Sequence, residues 1–420
     1  MALLRVAVAV LGVCGVTAFQ PNTGMQMGLR SFAKNRISNM RRQSIAVPVE
    51  TPVAAPFDLG AEPPFSLGDI RAAIPNSCFE KNTRRSMGFL AKDVGIVAAL
   101  AAIAIKLNNP FVWPAYWLAQ GTMFWALFVV GHDCGHGSFS NSKLLNNIVG
   151  HFTHASILVP YHGWRISHRT HHANHGNIDT DESWVPLPKK TVQELDLLGR
   201  FGRFNPLVML VAYPFYLFLR SPGKSGSHFN PKSDLFLPSE KNEVLTSTAS
   251  CVAMLAILAG VGAKFGLAFL AKTYLIPYVL NVAWLDAVTY LHHTEAGVPW
   301  YRGEAWNYMR GGISTRDRDY GPIINGVHHD IGTHVVHHLF PQMPHYHICE
   351  ATEAIKPVLG EYYVEPEKSG ILPFHLIKQY FKATRECIFV EDEGDVVYYK
   401  GKNDADDLPM IPTFGNSKSE

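Results

Sequence analysis

The sequence predicts an all-α membrane protein: four transmembrane helices in two hairpins, with a histidine-rich cap domain on one membrane face. Three observations carry this. Charged residues make up only 17% of the 420, against 47% apolar ones, where soluble domains are about a quarter charged. Long apolar runs come in pairs separated by short polar breaks. Histidines gather where those runs end. The net charge of +2 and the lack of a basic patch in the body of the chain argue against a nucleic-acid binder.

Residues 1–18, MALLRVAVAVLGVCGVTA, read as a signal peptide, a short apolar run ending in small residues. Residues 19–50 read as a transit-like segment. Between Phe19 and Val49 there is no acidic residue, but there are Arg30, Lys34, Arg36, Arg41 and Arg42. The two together resemble the two-part presequence of algae with complex plastids. Residues 51–80 read as a proline-rich linker, 81–385 as the membrane domain and 386–420 as a polar tail.

The first apolar run spans about 90–107, reaching the ~30 Å of a hydrocarbon core if Lys92 and Asp93 lie in the headgroup zone. The second spans about 112–131 and the third about 249–270. AKTYLIP is expected to break the chain before the fourth, about 274–291. Two weaker stretches, Ile148–Pro160 and Pro206–Leu219, are expected to lie in the interface, the latter interrupted by Pro214. Four crossings put the termini and the middle segment on one side.

That side holds HDCGH (His132, His136), HRTHH (His168, His171, His172) and HVVHH (His334, His337, His338). Residues three and four apart share a helical face, while the final adjacent pair of each HxxHH diverges by about 100°, so one motif can reach toward two ions. His293 ends the fourth run as a further candidate, with His292 in reserve. All-imidazole ligation suits iron, copper or zinc. One tetrahedral zinc uses four ligands and haem only axial pairs; two non-haem irons use this set best. The six cysteines show no CxxC spacing, which argues against a disulfide framework or zinc ribbon. Cys134, between two histidines, is a candidate thiolate ligand. His347 lies beyond a proline, away from the HxxHH face.

These stretches resemble the membrane-bound fatty acid desaturases. The boxes are HDCGHGSFSNSKLLNNIVGH, VPYHGWRISHRTHHANHGNIDTDESWVP and RDRDYGPIINGVHHDIGTHVVHHLFPQMPHYH. HDCGHGSF, with SGSHFNPKSDLF and WLDAVTYLHH, is similar to the omega-3 acyl-lipid branch of plants and algae. The resemblance covers roughly residues 80 to 385. It implies two irons held by His132, His136, His168, His171, His172, His293, His334, His337 and His338, with O2 as co-substrate. It implies a double bond inserted into linoleoyl-type chains of membrane glycerolipids. Thr294 stands where the family often has a third consecutive histidine, which leaves His292 or His293 as the ligand. No HPGG haem segment of a fused cytochrome b5 domain is present in the 420 residues. The implied donor is a separate ferredoxin in a plastid membrane, or cytochrome b5 in the endoplasmic reticulum.

Asp133, Asp179, Asp181, Glu182 and Asp330 lie close to the boxes and are candidates to orient ligand histidines. Asp286, inside the fourth run, is expected to face the protein interior. Trp284, Tyr290 and Phe340 are candidate walls of an acyl tunnel. Arg165 and Arg169 are candidate contacts for a lipid headgroup or an acidic ferredoxin. Two rivals stand beside this reading. One is an omega-6 desaturase acting on oleoyl chains. The other is a metal or haem transporter, against which the gathering of histidines at run ends speaks.

Overall fold

The computed structural model describes residues 57–221, 224–405 and 407–409; the expected signal and transit-like segments lie outside them. From Asp58 onward these residues belong to one compact unit. Helix α1 spans Thr83–Leu107. Asn82 caps it by accepting the Arg85 N–H at 3.0 Å, and Asn108 ends it in a left-handed conformation, φ 40°. Helix α2 spans Val112–His136 and ends at Gly137, φ 73°. It is the axis of the fold, packed against α1 on one side and against α3 (Lys143–Ser156) and α7 (Leu267–His293) on others. Two glycines permit this. A Cβ on Gly121 would sit 2.6 Å from Leu280 Cβ and 2.9 Å from the Pro277 carbonyl, and one on Gly131 would strike the His154 ring.

Helix α4 spans Tyr161–Asn174, α5 Tyr213–Leu219 and α6 Lys241–Phe265. In the described residues three helices are long and apolar enough to cross a membrane: Thr83–Leu107, Pro238–Phe265 and Leu267–His293. Helix α2 is as long, but Trp113, Tyr116, Trp117, Gln120 and Trp125 lower its hydropathy. The domain is therefore all-α with several long apolar helices. A two-stranded pairing of β1 (Pro299–Tyr301) with β2 (Val396–Tyr398) is its one named sheet among the described residues.

Three boundaries differ from expectation. The chain does not break at AKTYLIP. It turns at Gly266, φ 88° and ψ 154°, where a side chain would be strained. It then continues through Pro277, whose missing N–H is absorbed by a π turn over Ala271–Leu275. The expected linker already contributes to the core. Residues Leu67–Ala73 form a helix and Asn76–Phe79 a 3-10 turn, with Ile70, Ile74 and Cys78 buried. The expected polar tail also returns to the body, where Ile388, Phe389 and Val390 are buried and Trp300 pairs with Val397. Helices α8 (His334–Leu339), α9 (His345–Leu359) and α10 (Phe374–Glu386) complete the cap.

Candidate metal centre

The ends of α2, α4, α7 and α8 converge. His132 and His136 stand one turn apart at the end of α2, followed by the positive-φ Gly137 that stops the helix just past them. His168, His171 and His172 occupy the last turns of α4, and His334, His337 and His338 are three of the six residues of α8. The ring nitrogens of His132, His136, His168, His172 and His337 lie within 4.8 Å of one another. Two triplets that share His338, one with His171 and His175 and the other with His293 and His334, form a second group. All nine sequence candidates thus enter two groups. His175 joins as a tenth member that sequence reasoning missed, although its spacing four residues after His171 was a usable signal.

In the first group the Nε2 atoms of His132, His337, His172 and His168 follow one another at 3.1 Å per step. In the second, His293, His334 and His338 do the same at 3.2 and 3.1 Å. Hydrogen bonds cannot account for such chains, because each imidazole nitrogen offers one proton or one in-plane lone pair. Two donors each about 2.1 Å from a common ion, at right angles about it, stand about 3.0 Å apart. The Nε2 atoms of His136 and His175 are buried without any partner. The donor set therefore fits two transition-metal ions. Burial, and after it the crowding of neighbouring rings, holds His136, His168, His172, His334, His337 and His338 well below the usual imidazole range. They stand neutral, the form a metal takes. His293 enters the second group, whereas His292 is turned away, its Nδ1 on the Arg316 carbonyl at 2.5 Å and its Nε2 3.1 Å from the Tyr320 hydroxyl.

Carboxylates orient several of these rings. Asp181 accepts the His171 Nδ1–H at 2.6 Å and lies 3.4 Å from His175 Nδ1. It also accepts the N–H groups of Gly176, Glu182 and Ser183. Burial alone would raise its carboxyl, but the adjoining imidazoles, His171 foremost, hold it well below the usual carboxylate range. Asp133 bridges His132 Nδ1 at 3.3 Å and His345 Nδ1 at 2.8 Å, and these two rings likewise outweigh its burial. Asp317 was not anticipated. It accepts the N–H groups of His334 and Val335 at 2.6 and 2.8 Å, and the Tyr363 hydroxyl donates to its other oxygen at 2.7 Å. The start of α8, and with it the third histidine box, is set by this one side chain.

The fatty acid desaturase family model matches residues 111–367. This chain belongs to the fatty acid desaturase family. A second model, a domain of unknown function (DUF3474), matches residues 8–102. The chain is 60% identical over 380 residues to a chloroplastic omega-3 fatty acid desaturase of Brassica napus, covering 89% of this chain and 94% of that one. It is 62% identical over 356 residues to the chloroplastic sn-2 acyl-lipid omega-3 desaturase (ferredoxin) of Arabidopsis thaliana, covering 84% and 79%. An endoplasmic-reticulum omega-3 desaturase of Vigna radiata is 59% identical over 346 residues, covering 82% and 91%.

The desaturase carries a cavity of 310 Å³ against the centre. His132 and His168 of the first group and His171, His293 and His334 of the second form part of its wall. Trp125, Phe128, Met209, Tyr213, Leu285 and Val288 make much of the rest, and it extends to the exposed Phe215 and Leu219 of α5. The three residues expected in a tunnel wall are placed elsewhere. Trp284 donates to Thr122 Oγ1 at 3.0 Å, Tyr290 packs between Trp184 and Tyr380, and Phe340 meets Phe79 edge-on. The cause is helical phase: the α7 face that ends in His293 carries Leu285 and Thr289, four residues apart, not Trp284 or Tyr290.

The remaining candidates also lie away from the histidines. Asp179 is exposed, Asp330 makes no side-chain hydrogen bond to either group, and Glu182 faces Arg220 and Lys224, each at 2.9 Å. Asp286 accepts the Tyr213 N–H at 3.1 Å, pinning α5 at the cavity wall. Arg165 and Arg169 pair with Glu243 and Glu240, each at 2.7 Å, and Arg169 stays largely exposed. The Cys134 thiol belongs to neither histidine group and packs among Leu90, Val130 and Tyr161.

Proposed function

We propose that the desaturase inserts an omega-3 cis double bond into linoleoyl-type chains of membrane glycerolipids, in a plastid membrane, with ferredoxin as electron donor. The observation that carries the chemistry is the junction of two histidine groups with one apolar cavity. The regiochemistry, donor and compartment follow the named relatives. The reaction converts –CH2–CH2–, O2, two electrons and two protons into –CH=CH– and two waters. His132, His136, His168, His172 and His337 would hold one iron; His171, His175, His293, His334 and His338 would hold the other. The pair supplies oxygen activation strong enough for an unactivated C–H bond.

The chain's own contribution is placement. Asp181 and Asp133 fix the Nδ1–H tautomers of His171 and His132, so that each Nε2 lone pair points inward. Asp317 holds the start of α8 through the His334 and Val335 N–H groups. Trp125, Phe128, Leu285 and Val288 line the acyl path and keep it dry. We assign α1–α2 and α6–α7 to two membrane hairpins. Only 17%, 22% and 28% of the apolar windows of α1, α6 and α7 are buried within the fold, which leaves their outer faces for lipid. Exposed Leu144, Ile148 and Phe152 on α3, with Phe215, Phe218 and Leu219 on α5, fit an interfacial belt.

Expression in a host that makes oleate but no polyunsaturates tests this. Linolenate should form only when linoleate is fed. Linoleate formed without feeding would make the enzyme an omega-6 desaturase instead.

A further inference from the structure

Away from the two histidine groups, one more set of metal-type donors converges among the described residues. Cys78, His347 and Glu350 each place a ligand atom within 4.8 Å of the other two. His347 and Glu350 stand three apart on one face of α9, with His347 Nδ1 3.6 Å from a Glu350 oxygen. Cys78 comes from the 3-10 turn Asn76–Phe79, its thiol fully buried and within hydrogen-bonding reach of Glu350.

The position of the thiol is set by packing that needs no ion. Ile70, Ile74 and Cys78 pack with Ile348, Ala351 and Ile355 of α9 and with Val335, Val336 and Leu339 of α8. The Arg71 guanidinium lies 3.8 Å from the centre of the Phe79 ring and donates to Asn76 Oδ1 at 2.9 Å, which stiffens the turn. His347 is half-buried, and the Glu350 carboxylate, 58% exposed, is the one donor free to swing inward. A cysteine that merely fills the core would not need an imidazole and a carboxylate at its open side.

We propose that Cys78, His347 and Glu350 bind a zinc-type divalent cation, separate from the irons, that ties the segment preceding α1 to α9. A sulfur, a nitrogen and a carboxylate oxygen form a donor set zinc accepts, with a water in the fourth position. The sulfur disfavours magnesium and calcium. Binding exchanges the thiol proton for the metal–sulfur bond and releases that proton. The tie acts where the third histidine box is supported, because the buried residues around Cys78 include the apolar face of α8.

The test uses the full-length enzyme in detergent with its irons in place, titrated with cobalt(II). Cobalt bound to a thiolate has a near-ultraviolet charge-transfer band that imidazole ligation lacks. The site predicts such a band saturating at about one cobalt per chain, erased by zinc and absent in Cys78→Ser. Cobalt affinity should fall at least tenfold in His347→Gln and in Glu350→Gln, with unchanged iron content reporting an intact fold. No band in the wild type overturns the proposal, as does a band that survives Cys78→Ser. If Cys78→Ser does not fold, wild-type affinity in both His347→Gln and Glu350→Gln overturns it equally.

Discussion

Replacing Asp181 with Asn changes one charge and almost no volume, at a carboxylate buried beside the second histidine group. The His171 Nδ1–H now donates to a carboxylate at 2.6 Å. A hydrogen bond to a charged acceptor is worth about 1.5–3 kcal/mol and a neutral one about 0.5–1.5, so the substitution removes about 1–1.5 kcal/mol of orientation from His171. The new amide must also turn its NH2 toward N–H donors that Asp181 now accepts, from Gly176 or from Glu182 and Ser183. One such mismatch adds about 1–3 kcal/mol. The sum, about 2–4.5 kcal/mol, corresponds to a loss of metal affinity of about thirtyfold to two-thousandfold, whose lower part overlaps the 10–100-fold typical of partners to metal ligands. The loss should be confined to one ion, because Asp181 touches His171 and His175 and none of the five histidines of the first group. Iron analysis after timed exposure to a chelator should show Asp181→Asn dropping from about two irons per chain toward one, while the wild type holds both. Equal loss of both irons, or retention identical to wild type, would refute the reasoning.

Three further outcomes follow. Val288→Trp, which fills the cavity wall, should abolish desaturation with iron content unchanged, as measured by product and metal analysis of one preparation. Gly121→Ala forces α2 and α7 apart where a Cβ has 2.6 Å to Leu280; it should lower stability by about 1–3 kcal/mol, read as a lower midpoint of thermal unfolding. Asp133 and Asp181 have carboxyls held below their unfolded values, so their stabilisation is present above about pH 4 and fades as pH falls further through the folded values. An Asp133→Asn, Asp181→Asn double variant should therefore be less stable than wild type at pH 7 and converge with it in strong acid.

What the sequence made legible follows from spacing within a helix. Pairs and triplets three and four residues apart marked eight members of the two groups, and the end of the fourth apolar run marked His293; His175 obeys the same spacing from His171 but stands outside the HxxHH pattern. The cavity wall could have been phased backward from His293 to Thr289 and Leu285, a register that Trp284 and Tyr290 do not share. Partners brought in by the tertiary fold were not legible. Asp317 caps a helix that begins seventeen residues later, and His345 reaches Asp133 across 212 positions. Nearness in sequence was a poor guide to the carboxylates, since Asp179 and Glu182 flank Asp181 but point to solvent and to Arg220. The turn falls at Gly266 and not at AKTYLIP because glycine takes the positive φ, while a proline near the start of a helical segment is tolerated.

The central claim is that two irons sit on two separate histidine groups. Its most direct measurement is iron content and optical spectrum of active enzyme, compared with His136→Ala and His293→Ala. His136 belongs only to the first group and His293 only to the second. The wild type should hold about two irons per chain and show no haem absorption, with loss of iron and of desaturation in each variant. Active enzyme that holds a single iron, or either variant retaining both irons and full turnover, would contradict it.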